Sequence, residues 1–263
     1  TEFGVEVGNS ATTVRVFEGS VHAANSAGSV NLASGQTAVA EQGRAPVLRL
    51  EARPRDAVRW TLYYPAVIHT PATAGGMREG DPRYLTHRAS QRLAVGNVDE
   101  AIADIDAALA VSPQDPDALA LRSIIALAQN ERELATTTAD TAVAANPSSA
   151  SALVAQSYAR QAGFDLEGAR ASLERAVEVA PENALAWARL AEIRSSLGDS
   201  RGALDAAERA ETLDPTLSRT HAVLGFAKLA RVEIDEASAA FTKAIELDPA
   251  DPLPRLGLGL AKI

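Results

Sequence analysis

Residues 181–215 read PENALAWARL AEIRSSLGDS RGALDAAERA ETLDP: proline at each end, and two alanine- and leucine-rich runs on either side of Gly198-Asp199. The two prolines belong to a longer series. Pro113, Pro147, Pro181, Pro215 and Pro249 stand 34 residues apart without a slip in register. Self-similarity at a fixed period of this length marks a repeat architecture, in which a unit cannot bury its apolar face alone and must stack on its neighbours. With each proline at position 32, the repeats run over 82–115, 116–149, 150–183, 184–217 and 218–251, and a partial sixth over 252–263.

Other positions fall into line in this register. Position 20 reads Ala101, Ala135, Ala169, Ala203 and Ala237, and position 27 reads Ala108, Ala142, Ala176, Ala210 and Ala244. Position 24 carries the larger knob, as Ile105, Ala139, Leu173, Ala207 and Phe241. Position 4 reads Leu85, Leu119, Leu153, Trp187 and His221, and position 8 is small, as in Ala89, Ser123, Ala191 and Gly225. These columns resemble the tetratricopeptide repeat family over residues 82–263. The resemblance implies a pair of antiparallel helices per repeat and a solenoid that works through its surface. Small side chains are then required where the helices approach closely.

Local signals agree. Gly96 and Gly198 fall at the helix-to-helix turn, where glycine takes a left-handed conformation at little cost. Asp99, Asp165, Asp199 and Asp235 stand just before or at the start of second helices, as capping residues do. Asn146-Pro147, Asp214-Pro215 and Asp248-Pro249 close their repeats, since the residue before proline is pushed out of the helical region. Repeat two departs most: Asn130-Glu131-Arg132 replaces the glycine turn, and Thr136 to Thr138 is a poor helical run, so its second helix is weak by propensity and is expected to be held by the stacking of its neighbours.

The first eighty residues follow another pattern. Alternating apolar and polar residues run through Val5, Val7, Val14, Val16, Val21, Val30, Leu32, Ala38 and Leu48, broken at short intervals by Gly8-Asn9-Ser10, Glu18-Gly19-Ser20 and Ser34-Gly35-Gln36. A period of two with such turns predicts short antiparallel strands. The segments Thr1 to Val5, Val14 to Val21 and Val30 to Gln36 resemble the second half of a FecR-like domain. Val58 to Pro65 is similar to the segment that follows such domains in repeat-bearing chains. The resemblance implies a periplasmic, outer-membrane-associated or extracellular protein of a Gram-negative bacterium. The expected organisation is therefore mainly α with a small N-terminal antiparallel β module: a partial FecR-like domain over 1–66, a linker over 67–81 and the array over 82–263. Thr1 opens on a strand and Ile263 stops inside a first helix, so the chain is expected to be part of a longer protein.

Composition narrows the chemistry. There are no cysteines, which excludes disulfides, thiolate metal sites and cysteine nucleophiles. Residues 1–80 hold seven basic and seven acidic side chains, so the net charge of −9 lies on the repeats. An acidic array without a basic stripe argues against nucleic acid, whose affinity rests on neutralising phosphates. His22, His69, His87 and His221 are dispersed, and His221, at packing position 4, reads as a satisfied core histidine. Asp104 and Asp106, two apart, do not share a helical face. Gly257 and Gly259 sit inside a helix with no strand before them, so they make no phosphate loop. No enzymatic site, cofactor or metal is expected.

Binding surfaces are more informative. In the family the concave groove is lined by first-helix positions 2, 5, 9 and 12. Here the candidates are Ile124, Tyr158, Glu192 and Phe226 at position 9, Val154 at position 5, and Leu127 and Leu229 at position 12. Such a groove, lacking a Lys/Arg clamp, suits an apolar or helical segment. The competing reading is that Ile124, Leu127 and Leu229 pack between neighbouring first helices. Candidate assembly surfaces are Phe3, Val5 and Val7 on the first strand, the aromatic cluster Trp60, Tyr63 and Tyr64, and Leu256, Leu258 and Leu260 at the far end. The sequence thus points to a non-catalytic cell-envelope scaffold that holds protein partners. The alternative is a structural subunit that polymerises with copies of itself, by β-strand complementation and end-to-end stacking.

Overall fold

A computed structural model describes residues 1–8, 11–33, 36–49, 68, 80–94, 97–249 and 251–262. The chain divides into two compact units, 1–62 and 63–263. In the second, each repeat is a helix pair: α1 (Pro82–Ala94) and α2 (Val98–Val111), α3 (Pro116–Ala128) and α4 (Arg132–Ala145), α5 (Ala150–Ala162) and α6 (Leu166–Val179), α7 (Ala184–Ser196) and α8 (Ser200–Leu213), α9 (Ser218–Leu229) and α10 (Ile234–Leu247). A last helix, α11 (Leu253–Leu260), packs on α10 and α9.

The helix starts follow from local chemistry. Asp115, Ser149 and Asn183 accept from the amides of Ala118, Ala152 and Ala186 at the heads of α3, α5 and α7. Asp165 and Asp199 accept from Gly168 and Gly202 at the heads of α6 and α8. Each such side chain satisfies an amide that the first helical turn leaves unpaired. Asp99 and Asp235 sit inside the first turn instead, behind Asn97 and Glu233. The second helix of repeat two spans fourteen residues despite its threonines. Thr136, Thr137 and Thr141 each donate a hydroxyl to the carbonyl four residues back, and Ala135, Ala139 and Ala142 are buried among the neighbouring helices. Tertiary burial outweighs the propensity deficit there.

Both all-alanine columns are completely buried in every repeat, as is the knob column of Ile105, Ala139, Leu173, Ala207 and Phe241. A polar seam runs beside this core in the first three repeats. Arg88 and Arg92 grip Asp104 at 2.6 Å each, Arg122 pairs with Asp106, and Gln156 joins Asp140 to Ser172 at 2.7 and 2.8 Å. In repeats four and five the Gln156 position is filled by Leu190 and Leu224 and the Ser172 position by Ala206 and Ala240, so the seam becomes apolar. His221 is buried and its Nε2 lies 2.8 Å from the Pro215 carbonyl.

In the first unit, β1 (Glu2–Val7), β2 (Ala11–Glu18), β5 (Thr37–Glu41) and β6 (Val47–Arg49) form an antiparallel sheet in the order β1-β2-β5-β6. The hairpin of β3 (Ser20–Asn25) and β4 (Gly28–Ala33) lays Leu32 onto Val16 and Ala38, with Val14, Val21 and Val30 around them. Phe3 pairs with Val16, Val5 with Val14 and Val7 with Thr12, so β1 continues the same apolar face. There the hairpin does not cover it: Phe3, Val5 and Val7 are 51, 54 and 78 % exposed. Trp60, Tyr63 and Tyr64, Gly96, and nearly all of the expected linker lie outside the described residues.

Candidate functional site: the concave face of the repeats

The first helices present positions 2, 5, 9 and 12 side by side. Ile124 and Val154 are 1 % exposed and belong to the core, which removes them from any accessible lining. Leu127 is half-buried against the same core, and Leu229 is half-buried near the end of α9. For Ile124, Val154 and Leu127 the reason is geometric: α3 and α5 pack closely enough that these side chains fill the seam between them.

Tyr158, Glu192 and Phe226 are half-buried on this face, and the structure gives each of them partners. The guanidinium of Arg189 lies 3.6 Å above the Tyr158 ring centroid. Its Nη1 donates to Glu192 Oε2 at 2.8 Å, its Nε to Ser157 Oγ at 3.3 Å, and its Nη2 to Gln161. Arg219 Nη2 reaches the other Glu192 oxygen at 2.5 Å and the Tyr158 hydroxyl at 3.4 Å. A planar, multiply bonded guanidinium over a ring is a geometry that arginine supports and lysine does not. Burial pushes the Tyr158 phenol upward, with Arg219 and Arg189 opposing and Glu192 adding.

Two hollows flank this cluster, with Arg219 as their shared wall. One, of about 270 Å³, is lined by Tyr158, Leu185, Arg189, Leu217, Arg219, Leu247 and Asp248 among others. The other, of about 330 Å³, is lined by Ala191, Glu192, Ser195, Ala222, Val223, Phe226 and Leu253. Phe226 meets Phe241 edge to face at 4.9 Å, which fixes its ring at the floor of the second hollow.

The register explains Leu253. Counting from Pro252, Leu253, Leu256 and Leu260 hold groove positions 2, 5 and 9 of the sixth repeat, and they are 40, 58 and 48 % exposed. Leu256 and Leu260 therefore extend the concave row, whereas Leu258, at position 7, is half-buried. The arginines were the residues that sequence reasoning missed. Arg219 stands at groove position 2 of its repeat, and Arg189 at position 6 lies just off the lining columns.

Among the described residues no group of histidine, aspartate and glutamate is placed to hold a metal ion, and no helix is long and apolar enough to cross a membrane.

This is a solenoid of paired helices with an accessible first-helix face, the architecture of a protein-interaction module. Sequence models of the tetratricopeptide repeat match residues 88–150, 154–218 and 224–251, and the chain belongs to that family. Solved structures share the fold. A thermophilic tetratricopeptide protein of Thermus thermophilus is 24 % identical, with a TM-score of 0.59 over 69 % of this chain and 98 % of its own. A tetratricopeptide protein of Parabacteroides merdae is 18 % identical, with a TM-score of 0.56 over 70 % of this chain and 72 % of its own. PilF of Pseudomonas aeruginosa is 18 % identical, with a TM-score of 0.54 over 69 % and 83 %. No curated protein matches the chain. Tetratricopeptide proteins are generally non-catalytic modules that bind protein partners, and no catalytic family is indicated.

Proposed function

We propose that the chain is a scaffold of the cell envelope whose concave face captures an apolar segment of a partner protein. The observation that carries the groove is the hollow of about 330 Å³ floored by Phe226 and Leu253, with Leu256 and Leu260 continuing the apolar row beyond it. Large apolar side chains entering such a hollow supply most of the affinity of helix-in-groove recognition. The FecR-like resemblance of residues 1–66 supports an envelope location. The groove is tested by selecting peptides on the intact chain and measuring them on the paired substitutions Phe226→Ala and Leu253→Ala. A loss of tenfold or more supports the reading; unchanged affinity removes it.

A second reading, self-assembly into a filament, is favoured by one observation. The outer strand β1 presents Phe3, Val5 and Val7 exposed on the apolar face of the sheet. An edge strand with apolar surface is a template for another chain. Electron microscopy of the chain over a concentration series decides it: regular filaments that vanish with Val5→Lys and Val7→Lys support assembly through β1, and dispersed particles at every concentration overturn it.

A further inference from the structure

Position 34 of the repeat is a capping column. Asp115, Ser149 and Asn183 stand there, and each accepts from the amide three residues on. Asp251 holds the same position ahead of α11, in the string Asp251-Pro252-Leu253-Pro254. The residue three on is therefore a proline, which has no N–H to offer. Asp251 Oδ1 takes the Leu253 amide instead, at 2.9 Å. Its Oδ2 is buried and has no hydrogen-bond partner among the described residues. The Asp115-Pro116 start of α3 shows the contrast: Ala118 keeps its N–H and fills the cap, and Asp115 is only half-buried.

Asp251 is 0 % exposed, so solvent does not supply what the proline lacks. Its carboxyl faces mixed charge. Arg219 on α9 attracts it, while Asp248 at the end of α10 and Glu192 on α7 repel it. Arg219 is itself joined to Glu192 at 2.5 Å, and Arg255 on α11 bonds the Asp251 main-chain carbonyl at 3.2 Å. A buried carboxyl oxygen without a donor is far costlier charged than neutral. Burial accordingly pushes the Asp251 carboxyl upward, with the Leu253 amide and Arg219 opposing and Asp248 and Glu192 adding.

We propose that Asp251 is a proton-operated latch on α11. With the carboxyl neutral, α11 stays docked and Leu253 stands in the wall of the hollow of about 330 Å³. With it ionised, the first turn of α11 loosens to bring Oδ2 to water, and that wall opens. The helix can respond because little else holds it: of its eight residues only Pro254 and Gly257 are buried. The sign is fixed. A carboxyl raised by folding adds stability that is complete below the unfolded value of about 4 and is lost as the pH rises through the folded value. So α11 is tightest in acid. Capture at the hollow follows the same sign; that consequence rests on the groove reading, whereas the latch does not.

The test needs no partner. Carbon-13 NMR follows the Asp251 carboxyl of the intact chain over a pH series, and hydrogen exchange, corrected for the intrinsic rate, follows the amides of Leu256 to Ala261. The carboxyl is expected to titrate above the usual carboxylate range, and amide protection to fall by about threefold or more with the same midpoint. Asp251→Asn removes the ionisation and should abolish that step. Pro254→Ala returns the amide that the other caps use and should move the midpoint down. Packing lost to the alanine would lower protection at every pH without moving the midpoint. A carboxyl midpoint in the ordinary range, protection that does not follow the carboxyl, the same step in Asp251→Asn, or an unmoved midpoint in Pro254→Ala would each overturn the proposal. Failure of the groove to capture a peptide leaves all of these readouts untouched.

Discussion

A β-carbon placed on Gly257 would lie 2.3 Å from the Phe241 ring, and one placed on Gly225 would lie 2.6 Å from the same ring. Phe241 is the one aromatic knob in a column that elsewhere holds Ile105, Ala139, Leu173 and Ala207, and its ring is completely buried. Two glycines, one on α9 and one on α11, make the room. Gly225→Ala should cost about 1–3 kcal/mol through overpacking. Phe241→Ala should cost about 3–5 kcal/mol through the cavity it leaves. In the Phe241→Ala background the alanine at 225 should be nearly neutral, because repeats two and four already pair an alanine knob with Ser123 or Ala191. A double-mutant cycle by urea denaturation reads the coupling, and additive costs would refute the packing account.

Arg189 supports the concave face as well as lining it. It is 5 % exposed, stacks on Tyr158 and bonds to Glu192, Gln161 and Ser157. Arg189→Ala leaves those acceptors short of a donor and should destabilise the fold by about 2–4 kcal/mol. Arg189→Lys should recover less than half of this, since a lysine ammonium cannot stack and fork at once. Thermal melts of the three proteins check the order; a lysine variant as stable as the intact chain contradicts it.

The buried carboxylate of repeat one gives a pH dependence with a definite sign. Burial alone would raise Asp104, but Arg88 and Arg92 together hold it below the usual carboxylate range. A depressed folded pKa contributes stability above the unfolded value near 4, and that contribution is lost as pH falls through the folded value. The two guanidiniums stay 31 and 26 % exposed, so solvent screening limits the contribution to about 1–2 kcal/mol. Asp117 and Asp251, raised by burial, run the other way. Comparing the intact chain with Asp104→Asn cancels them. The stability gap is expected at pH 7 and should narrow as the pH falls below the usual carboxylate range; a gap that stays constant on acidification would exclude ionisation as its source.

The helix-to-helix turns yield a stability prediction. Asn130, Phe164, Gly198 and Val232 have φ of 61°, 63°, 81° and 63° there, where glycine is unstrained and a bulky or β-branched side chain is not. Phe164→Gly and Val232→Gly should each raise the stability by roughly 0.5–1 kcal/mol, the relief of a left-handed side chain less the entropy of glycine. Gly198→Ala, with φ of 81°, should lower it by about 1 kcal/mol. Calorimetry of the three variants settles the signs.

Much of the array was legible because the repeat imposes its own register. Two all-alanine columns and a proline column fix which residues face which helices, and the buried columns follow from closeness of approach. The candidate site was legible only in part. Ile124 and Phe226 occupy the same groove position, yet the first is core and the second floors a hollow, and Val154, at another lining position, is core as well. A periodic pattern places a residue on a face; it does not say how closely the next helix packs over it. Leu256 and Leu260 could have been assigned to the groove by carrying the same count past Pro252.

The sequence by itself determined the helix-pair repeat, its phase, the capped starts of second helices at Asp165 and Asp199, and the acidity of the array, because these rest on spacing and on local hydrogen-bond chemistry. Tertiary structure alone decided that Arg189 lies over Tyr158, that Arg219 parts two hollows, and that Phe164 and Val232 stand in solvent on strained turns. Those relations join residues about 30 to 60 positions apart through packing between repeats, and the strain at a turn depends on its backbone angle. No local pattern encodes either quantity.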